Sequence, residues 1–159
     1  MNNTLNQLPA SLDEFTAASA DLSKPETVCA LFLAALQLYL QDNNAGIAAL
    51  NILRGPRPMN GYDTQFIRDR LRGKTYLPLA YFDGATPENG YKPSVPYTLQ
   101  VQPDSQPCEQ GYMKVFLKTA GADSPRPMKL RSKGDNWYLW EYSSILSGIR
   151  TPAEEDPWA

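Results

Sequence analysis

The fold is decided by the stretch from Ser124 to Ala159, SPRPMKLRSKGDNWYLWEYSSILSGIRTPAEEDPWA, because it contains the clearest hairpin pattern of the chain. Apolar and charged residues alternate from Met128 to Ser132, and an aromatic run follows from Trp137 to Tyr142. The segment between them, Lys133-Gly134-Asp135-Asn136, is typical of a tight hairpin turn. The stretch therefore predicts two paired antiparallel strands.

Two further strands are predicted upstream of this hairpin. Residues alternate between apolar and polar from Tyr97 to Gln102 and again from Met113 to Thr119, so each strand is expected to bury one face. The connection before them is long and rich in proline, and such a loop is usually either functional or pinned by its aromatic residues, here Tyr76, Tyr81, Phe82 and Tyr91.

Four helices are predicted in the first half of the chain. Ser11 opens a capping-box pattern for a short helix that reaches about Ala20. Ser23-Lys24-Pro25-Glu26 repeats that pattern before a helix from Pro25 to Gln41. Apolar residues surround this second helix on nearly every side, which predicts that it is buried.

The third and fourth helices are marked by cap and stop residues. Asn43 or Asn44 is expected to cap the third helix, and Gly55-Pro56 is expected to end it. Asp63 is expected to cap the fourth helix, which runs from Thr64 to Arg72.

Helices followed by consecutive antiparallel strands predict an α+β fold, with the N-terminal helices packed on one face of a curved sheet of about four to five strands. We expect residues 1–22 to form an N-terminal arm with a short helix and residues 23–159 to form a single α+β domain. Within it, residues 23–74 are the helical half, residues 75–142 the strand half and residues 143–159 a C-terminal tail.

The absence of histidine excludes the commonest catalytic arrangements. It removes histidine general bases, Ser-His-Asp and Cys-His systems and nearly every catalytic zinc site. Neither phosphate-binding glycine motif occurs, so we expect no cofactor and no metal, and the interpretation leans away from an enzyme. Cys29 and Cys108 stand in unrelated contexts and are expected to be free thiols.

The net charge and the N-terminal sequence indicate the cellular compartment of the protein and the partners that it is expected to bind. A net charge of −2 gives no global attraction to nucleic acid or to an anionic membrane. The N-terminus has no secretory pattern, and the longest apolar run is too short to cross a bilayer. We therefore expect a cytoplasmic protein.

Arginines and aromatic residues are the candidate ligand-binding groups. Arg68 and Arg72 share a helical face at i,i+4 and are suited to gripping a phosphate or a carboxylate, although a solvated face with local ion pairs is the plainer interpretation. The aromatic strand is expected to place two rings on each face, and the tail with Trp158 is expected to dock on the protein itself. The candidate ligand-binding residues are Arg68, Arg72, Arg126, Arg131, Tyr138 and Trp140, and no catalytic residue is assigned.

A carboxylate pair for acid–base chemistry is the remaining catalytic possibility. Nothing in the spacing of the acidic residues selects two of the five considered: Asp63, Asp69, Asp83, Glu88 and Glu141.

Several strings together support a resemblance to a known family: Gly55-Pro56-Arg57-Pro58, Tyr81 to Asn89, Gly121 to Pro127, Trp137 to Glu141 and Asp156 to Ala159. From about Pro25 to Ala159 the chain resembles a family of uncharacterised bacterial domains from Gram-positive anaerobes, to which no activity is assigned. The layout of the elements is also similar to the cone-shaped fold of nuclear-transport-factor-like and polyketide-cyclase-like proteins. That likeness concerns topology alone, since many functions share such a fold.

The sequence favours a non-enzymatic binding or protein-interaction module. Its expected partner is a small anionic ligand or a protein, while nucleic acid and membrane are disfavoured. The alternative is a small-molecule-binding protein or a histidine-independent enzyme with a pocket between helices and sheet. That alternative predicts an enclosed cavity lined by Tyr and Trp, with one buried carboxylate.

Overall fold

The computed structural model describes residues 1–159. Its helices are α1 (Leu12–Ala18), α2 (Pro25–Gln41), α3 (Asn43–Arg54) and α4 (Gly61–Leu71). Its strands are β1 (Asn2–Leu5), β2 (Tyr97–Pro103), β3 (Tyr112–Leu117), β4 (Arg126–Lys133) and β5 (Asn136–Glu141). Short 3₁₀ turns lie in the connections at Pro78–Tyr81, Pro87–Asn89, Ser143–Leu146 and Ala153–Glu155.

The five strands form one antiparallel sheet in the order β1-β2-β3-β4-β5. The sheet curls into a half-barrel, and the expected α+β class is confirmed. The predicted hairpin is β4–β5, in which Lys133 pairs with Asn136 across the turn. Gly134 adopts a φ of 59° there, a conformation that glycine reaches without strain.

Strand β1 escaped the sequence prediction. It contributes four residues, none of them fully buried, and it pairs with β2 from Asn2 opposite Gln100 to Leu5 opposite Tyr97. A strand this short shows little alternation, and its partner lies far along the chain. Only the assembled sheet shows this pairing.

Helix α2 has the bounds that the sequence predicted. Eleven of its seventeen residues are buried, and it contacts α3 as well as β1, β2 and β5. Burial on so many sides explains why its apolar residues surround the helix. None of the helices combines the length and apolar character that a membrane crossing requires.

The predicted caps of α2 and α3 are wrong, because the residue next to each predicted cap is the one that precedes the helix. Lys24, not Ser23, precedes α2, and it makes no side-chain cap bond. Asp42 caps α3 by accepting from the N–H of Ala45 at 3.2 Å, in place of Asn43 or Asn44. The prediction for α1 is confirmed, since the Ser11 hydroxyl accepts from the N–H of Glu14.

Helix α4 begins three residues before its predicted start. Asn60 is its cap and accepts from the N–H of Asp63 at 2.9 Å, while the Asp63 carboxylate accepts from the N–H of Asn60 at 3.0 Å. This reciprocal capping box places Asp63 inside the first turn rather than before it. The position matters, because the same Asp63 carboxylate accepts a hydrogen bond from the buried Arg54 guanidinium.

The expected docking of the tail by Trp158 is wrong. Pro152 is buried and the turn Ala153–Glu155 contacts Pro87–Asn89, but the Trp158 side chain is 93% exposed. The acidic residues of the tail form no ion pair with the basic strands.

Gly46 controls the approach of α3 to α2. A Cβ at this position would overlap the backbone of Tyr39, whereas a Cβ at Gly61 in α4 would meet nothing. We expect Gly46→Ala to lower the free energy of unfolding by about 1–3 kcal/mol through overpacking. The matched control Gly61→Ala is expected to leave it unchanged or to raise it by about 0.4–1 kcal/mol. Urea denaturation followed by circular dichroism measures both, and equal effects at the two sites would contradict the close helix contact.

Candidate functional site

A cleft of about 420 Å³ opens between the end of α3 and the β4–β5 hairpin. We call it the basic cleft. Its lining residues are Arg54, Pro56, Arg57, Arg131, Ser132, Lys133, Tyr138, Leu139 and Trp140. A second cavity of about 290 Å³ adjoins it, because Arg54 and Trp140 line both.

A β-bulge brings Trp140 to the basic cleft. Leu139 pairs with Leu130 and Glu141 pairs with Lys129, so Trp140 is the extra residue of β5 between two paired positions. Bulges redirect side chains and are frequent beside binding sites. Because β5 is the last strand of the sheet, the redirected ring stands at the sheet edge.

Two arginines lie over the Trp140 ring. The Cζ atom of Arg57 is 4.9 Å from the ring centroid, and that of Arg131 is 4.8 Å from it. The Tyr112 ring of β3 meets Trp140 edge-on, with centroids 5.4 Å apart, and Arg131 also lies 5.2 Å from the Tyr112 centroid. Each cation–π contact contributes about 0.5–2 kcal/mol. The aromatic rings therefore hold the guanidinium groups of Arg57 and Arg131 in place, and the N–H groups of both arginines stay free to donate to a ligand.

The cations of the basic cleft are largely unpaired. The side chains of Arg57, Arg131 and Lys133 form no ion pair and donate no hydrogen bond to the protein. None of the lining residues is acidic, although the whole chain carries a net charge of −2. The cleft is thus a local concentration of positive charge on an acidic protein.

Arg54 fixes the α3 side of the basic cleft. It is 8% exposed, its Nη2 donates to Oδ2 of Asp63 at 3.2 Å, and its Nε donates to the carbonyl oxygen of Arg57 at 3.0 Å. One buried guanidinium therefore ties the end of α3 to the first turn of α4. It also holds the backbone that carries Arg57.

Gly55 lets the hairpin approach α3. It ends the helix with a φ of 65°, and a Cβ there would lie 2.5 Å from Cδ1 of Tyr138. A residue with a side chain would be strained by the backbone and would push Tyr138 away.

The second cavity brings together two of the five carboxylates considered for acid–base chemistry. Asp63 and Glu141 both line it. Asp63 is bound by Arg54, and Oε1 of Glu141 accepts from the Ser143 hydroxyl at 2.7 Å and from its N–H at 3.1 Å. Both carboxylates are thus occupied by structural hydrogen bonds.

Tyr142 also lines the second cavity. Burial raises the pKa of Tyr142 to about 12, the nearby Arg54 guanidinium lowers it, and the Asp63 and Glu141 carboxylates add to the rise. The phenol therefore stays protonated at neutral pH.

The structure brings three of the six candidate ligand-binding residues together. Arg131, Tyr138 and Trp140 line the basic cleft. Arg68 is exposed on α4, Arg72 is exposed and 3.5 Å from Asp69 in an ion pair, and Arg126 donates to the carbonyl oxygen of Gly148 at 2.8 Å, so these three lie outside the cleft. A binding role for any of the six stays a prediction.

Sequence reasoning did not assign three cleft residues, Arg54, Arg57 and Lys133, to a site. Arg54 and Arg57 belong to a basic stretch that extends to Lys74, and nothing in the stretch separates them from the surface arginines of α4. One sequence feature does distinguish Arg57, which is the proline on either side of it. Two prolines restrict the backbone there, so that the Arg57 side chain extends from a stiff loop.

These features define the class of protein: an α+β domain with a curled antiparallel sheet and a basic, aromatic cleft at the last strand of the sheet. The chain belongs to the family described as "Domain of unknown function (DUF6935)", whose sequence model matches residues 7–153. The expectation of a family without an assigned activity is confirmed, with a match that begins before Pro25. No curated protein and no solved structure matches the chain.

Removing one partner of the half-buried ion pair between Arg54 and Asp63 is expected to destabilise the protein. Asp63→Ala leaves the Arg54 guanidinium buried without its carboxylate and breaks the capping box, so we expect the free energy of unfolding to fall by roughly 3 kcal/mol. Asp69→Ala, on the same helix, removes an ion pair whose side chains are 54% and 72% exposed. We expect that control to change stability by less than about 0.5 kcal/mol. Urea denaturation distinguishes the two, and equal losses would contradict the role given to Arg54.

Tyr142 is expected to make the protein sensitive to alkali. Its pKa is raised from 10.0 in the folded chain, so its contribution is complete below that pH and is lost as the pH rises toward about 12. Tyr142→Phe keeps the ring contact with Phe32 and removes this contribution. Unfolding measured near pH 9 and near pH 11 should show a smaller alkaline loss in the variant than in the wild type. Identical losses would contradict the raised pKa.

Proposed function

We propose that this protein is a non-enzymatic binding module whose basic cleft receives an anionic group of its partner. The observation that carries the proposal is the pair of arginines over one tryptophan. Arg57 and Arg131 each lie within 4.9 Å of the Trp140 centroid, and neither guanidinium has an acceptor in the protein.

The chemistry of guanidinium supports an anion as the bound group. A guanidinium offers a planar fork of N–H donors that matches a carboxylate or a phosphate, and it is less strongly hydrated than an ammonium. Because both Cζ atoms lie so close to the same centroid, they are no more than about 10 Å apart. Two guanidinium groups within that limit can both contact a ligand that carries neighbouring anionic groups. Positioning by the aromatic rings lowers the entropy cost of binding.

Binding is better supported than catalysis. The two carboxylates near the basic cleft are engaged by Arg54 and by Ser143, and neither Asp63 nor Glu141 is buried. The alternative, a small-molecule carrier or a histidine-independent enzyme with an enclosed pocket and one buried carboxylate, is less well supported by these contacts.

The cellular setting is part of the proposal. We infer a bacterial cytoplasmic protein; the free state of both cysteines, as expected for a reducing compartment, supports the cytoplasmic part of this inference.

The proposal is tested by titrating inorganic pyrophosphate and the blocked tripeptide acetyl-Glu-Glu-Asp-amide into the protein at low ionic strength, by calorimetry. We expect saturable binding by at least one of the two probes. Arg57→Gln and Arg131→Gln should each weaken it roughly tenfold, because hydrogen bonds to charged groups contribute about 1.5–3 kcal/mol. Arg131→Lys should recover only part of the loss, because an ammonium lacks the planar fork.

Arg68→Gln and Arg72→Gln are the matched controls, since each removes a positive charge from an exposed position in or just after α4, and neither residue lines the cleft. They should leave the affinity unchanged. If neither probe binds, or if only these two variants weaken binding, the proposal is wrong. If a single-stranded RNA of mixed sequence binds more tightly than both probes, and its binding depends strongly on salt, the partner of the cleft is nucleic acid instead of a small anionic ligand.

A further inference from the structure

The C-terminal tail carries the most exposed large apolar side chain of the chain. Trp158 is 93% exposed, compared with 79% for Tyr62 and 69% for Val95. Three acidic residues stand just before it, and two of them, Glu154 and Glu155, are exposed. We call the segment from Glu154 to Trp158 the acidic tail.

The acidic tail does not reach the basic cleft of its own chain. Pro152 is buried, and the turn Ala153–Glu155 contacts the turn Pro87–Asn89. Asp156 helps to line a separate cavity with Pro87 and Arg150, and no residue of the tail lines the basic cleft. The cleft and the tail are therefore separate and open surfaces of one molecule.

The two surfaces are complementary in charge and in chemical type. The tail offers an indole and the exposed carboxylates of Glu154 and Glu155, while the Asp156 carboxylate already accepts from the N–H of Trp158 at 2.9 Å. The basic cleft offers three unpaired cations and the rings of Tyr138 and Trp140. The cleft volume of about 420 Å³ falls within the range of about 300–1,000 Å³ in which proteins hold compact ligands. Tryptophan, tyrosine and arginine are enriched at the energetic centre of protein contacts, and a guanidinium packs favourably on the face of an indole.

We propose that the partner of the basic cleft is a second copy of this chain, bound through its acidic tail. This inference rests on the proposed function of the cleft. The indole of Trp158 enters beside Tyr138 and Pro56, and the carboxylates meet Arg57, Arg131 and Lys133. Because two different surfaces meet, the contact is heterologous, so each molecule keeps one free cleft and one free tail. Assembly is then head-to-tail, concentration-dependent and weakened by salt.

Sedimentation equilibrium over a range of concentrations tests this inference with two single variants. Wild-type chain should self-associate at low ionic strength. Trp158→Ala keeps an intact cleft and damages the tail, and Arg131→Gln keeps an intact tail and damages the cleft. Each variant alone should associate at least roughly tenfold more weakly. A mixture of the two should form a one-to-one dimer, because each supplies the part that the other lacks.

A blocked peptide with the sequence of Thr151 to Trp158, TPAEEDPW, provides the second measurement. It should bind Trp158→Ala protein, lose about tenfold in affinity when its tryptophan is replaced by alanine, and bind Arg131→Gln protein about tenfold more weakly. Far-UV circular dichroism confirms that both protein variants are folded.

The outcomes separate this inference from the proposed function. A monomeric wild-type chain, a mixture that does not associate, or peptide binding that ignores Arg131→Gln overturns tail docking. If pyrophosphate or the acidic tripeptide still binds in the cleft, the proposed function survives. If no anion and no peptide binds, both are wrong.

Discussion

Burial of helix α2 on nearly every side is the constraint on which the rest of the structure depends. A helix with eleven of seventeen residues buried must be covered from several directions at once, and each large apolar side chain removed from water contributes about 1.5–3 kcal/mol. The sheet meets this demand by curling, so that strands as distant as β1 and β5 both contact the helix. Helix α3 covers another side, and it comes close enough only because Gly46 has no side chain to separate it from Tyr39.

Fold class, helix α2 and the β4–β5 hairpin were accessible from sequence because each rests on a local pattern. The four aromatic residues of the middle connection are all buried, as the pinned alternative for this loop predicted: Tyr76, Tyr81, Phe82 and Tyr91. The helix caps were harder to predict, because several adjacent residues have a similar propensity for the N-cap position. Asp42, Asn43 and Asn44 are all good caps, and only the path of the chain selects Asp42. Strand β1 was missed because its evidence is a pairing partner about a hundred residues away.

Only part of the basic cleft could be predicted from the sequence. Arg131, Tyr138 and Trp140 stand on a recognisable strand, so their proximity followed from the hairpin. The bulge that redirects Trp140 changes the count of residues facing each way, and alternation alone assigned two rings to each face. Arg54 and Arg57 were hidden in a basic stretch, because one is buried against Asp63 and the other is exposed, a difference that tertiary structure alone creates. Burying Arg54 gives little net stability, and its use is geometric: it fixes the loop that carries Arg57.

The long-range pairing of β1 with β2 affects the order in which the chain acquires structure during synthesis. Helix α2 leaves the ribosome early, but β2 follows only after more than fifty further residues, and β5 is among the last elements made. Until then the helix has α3 to cover it and little else, so its apolar faces stay open to water and to other nascent chains. The sheet cannot be completed in segments as a row of local hairpins, because its first strand waits for its partner. A chain that stops before β5 would therefore expose the apolar surface of α2. Chaperones and proteases would bind such a chain.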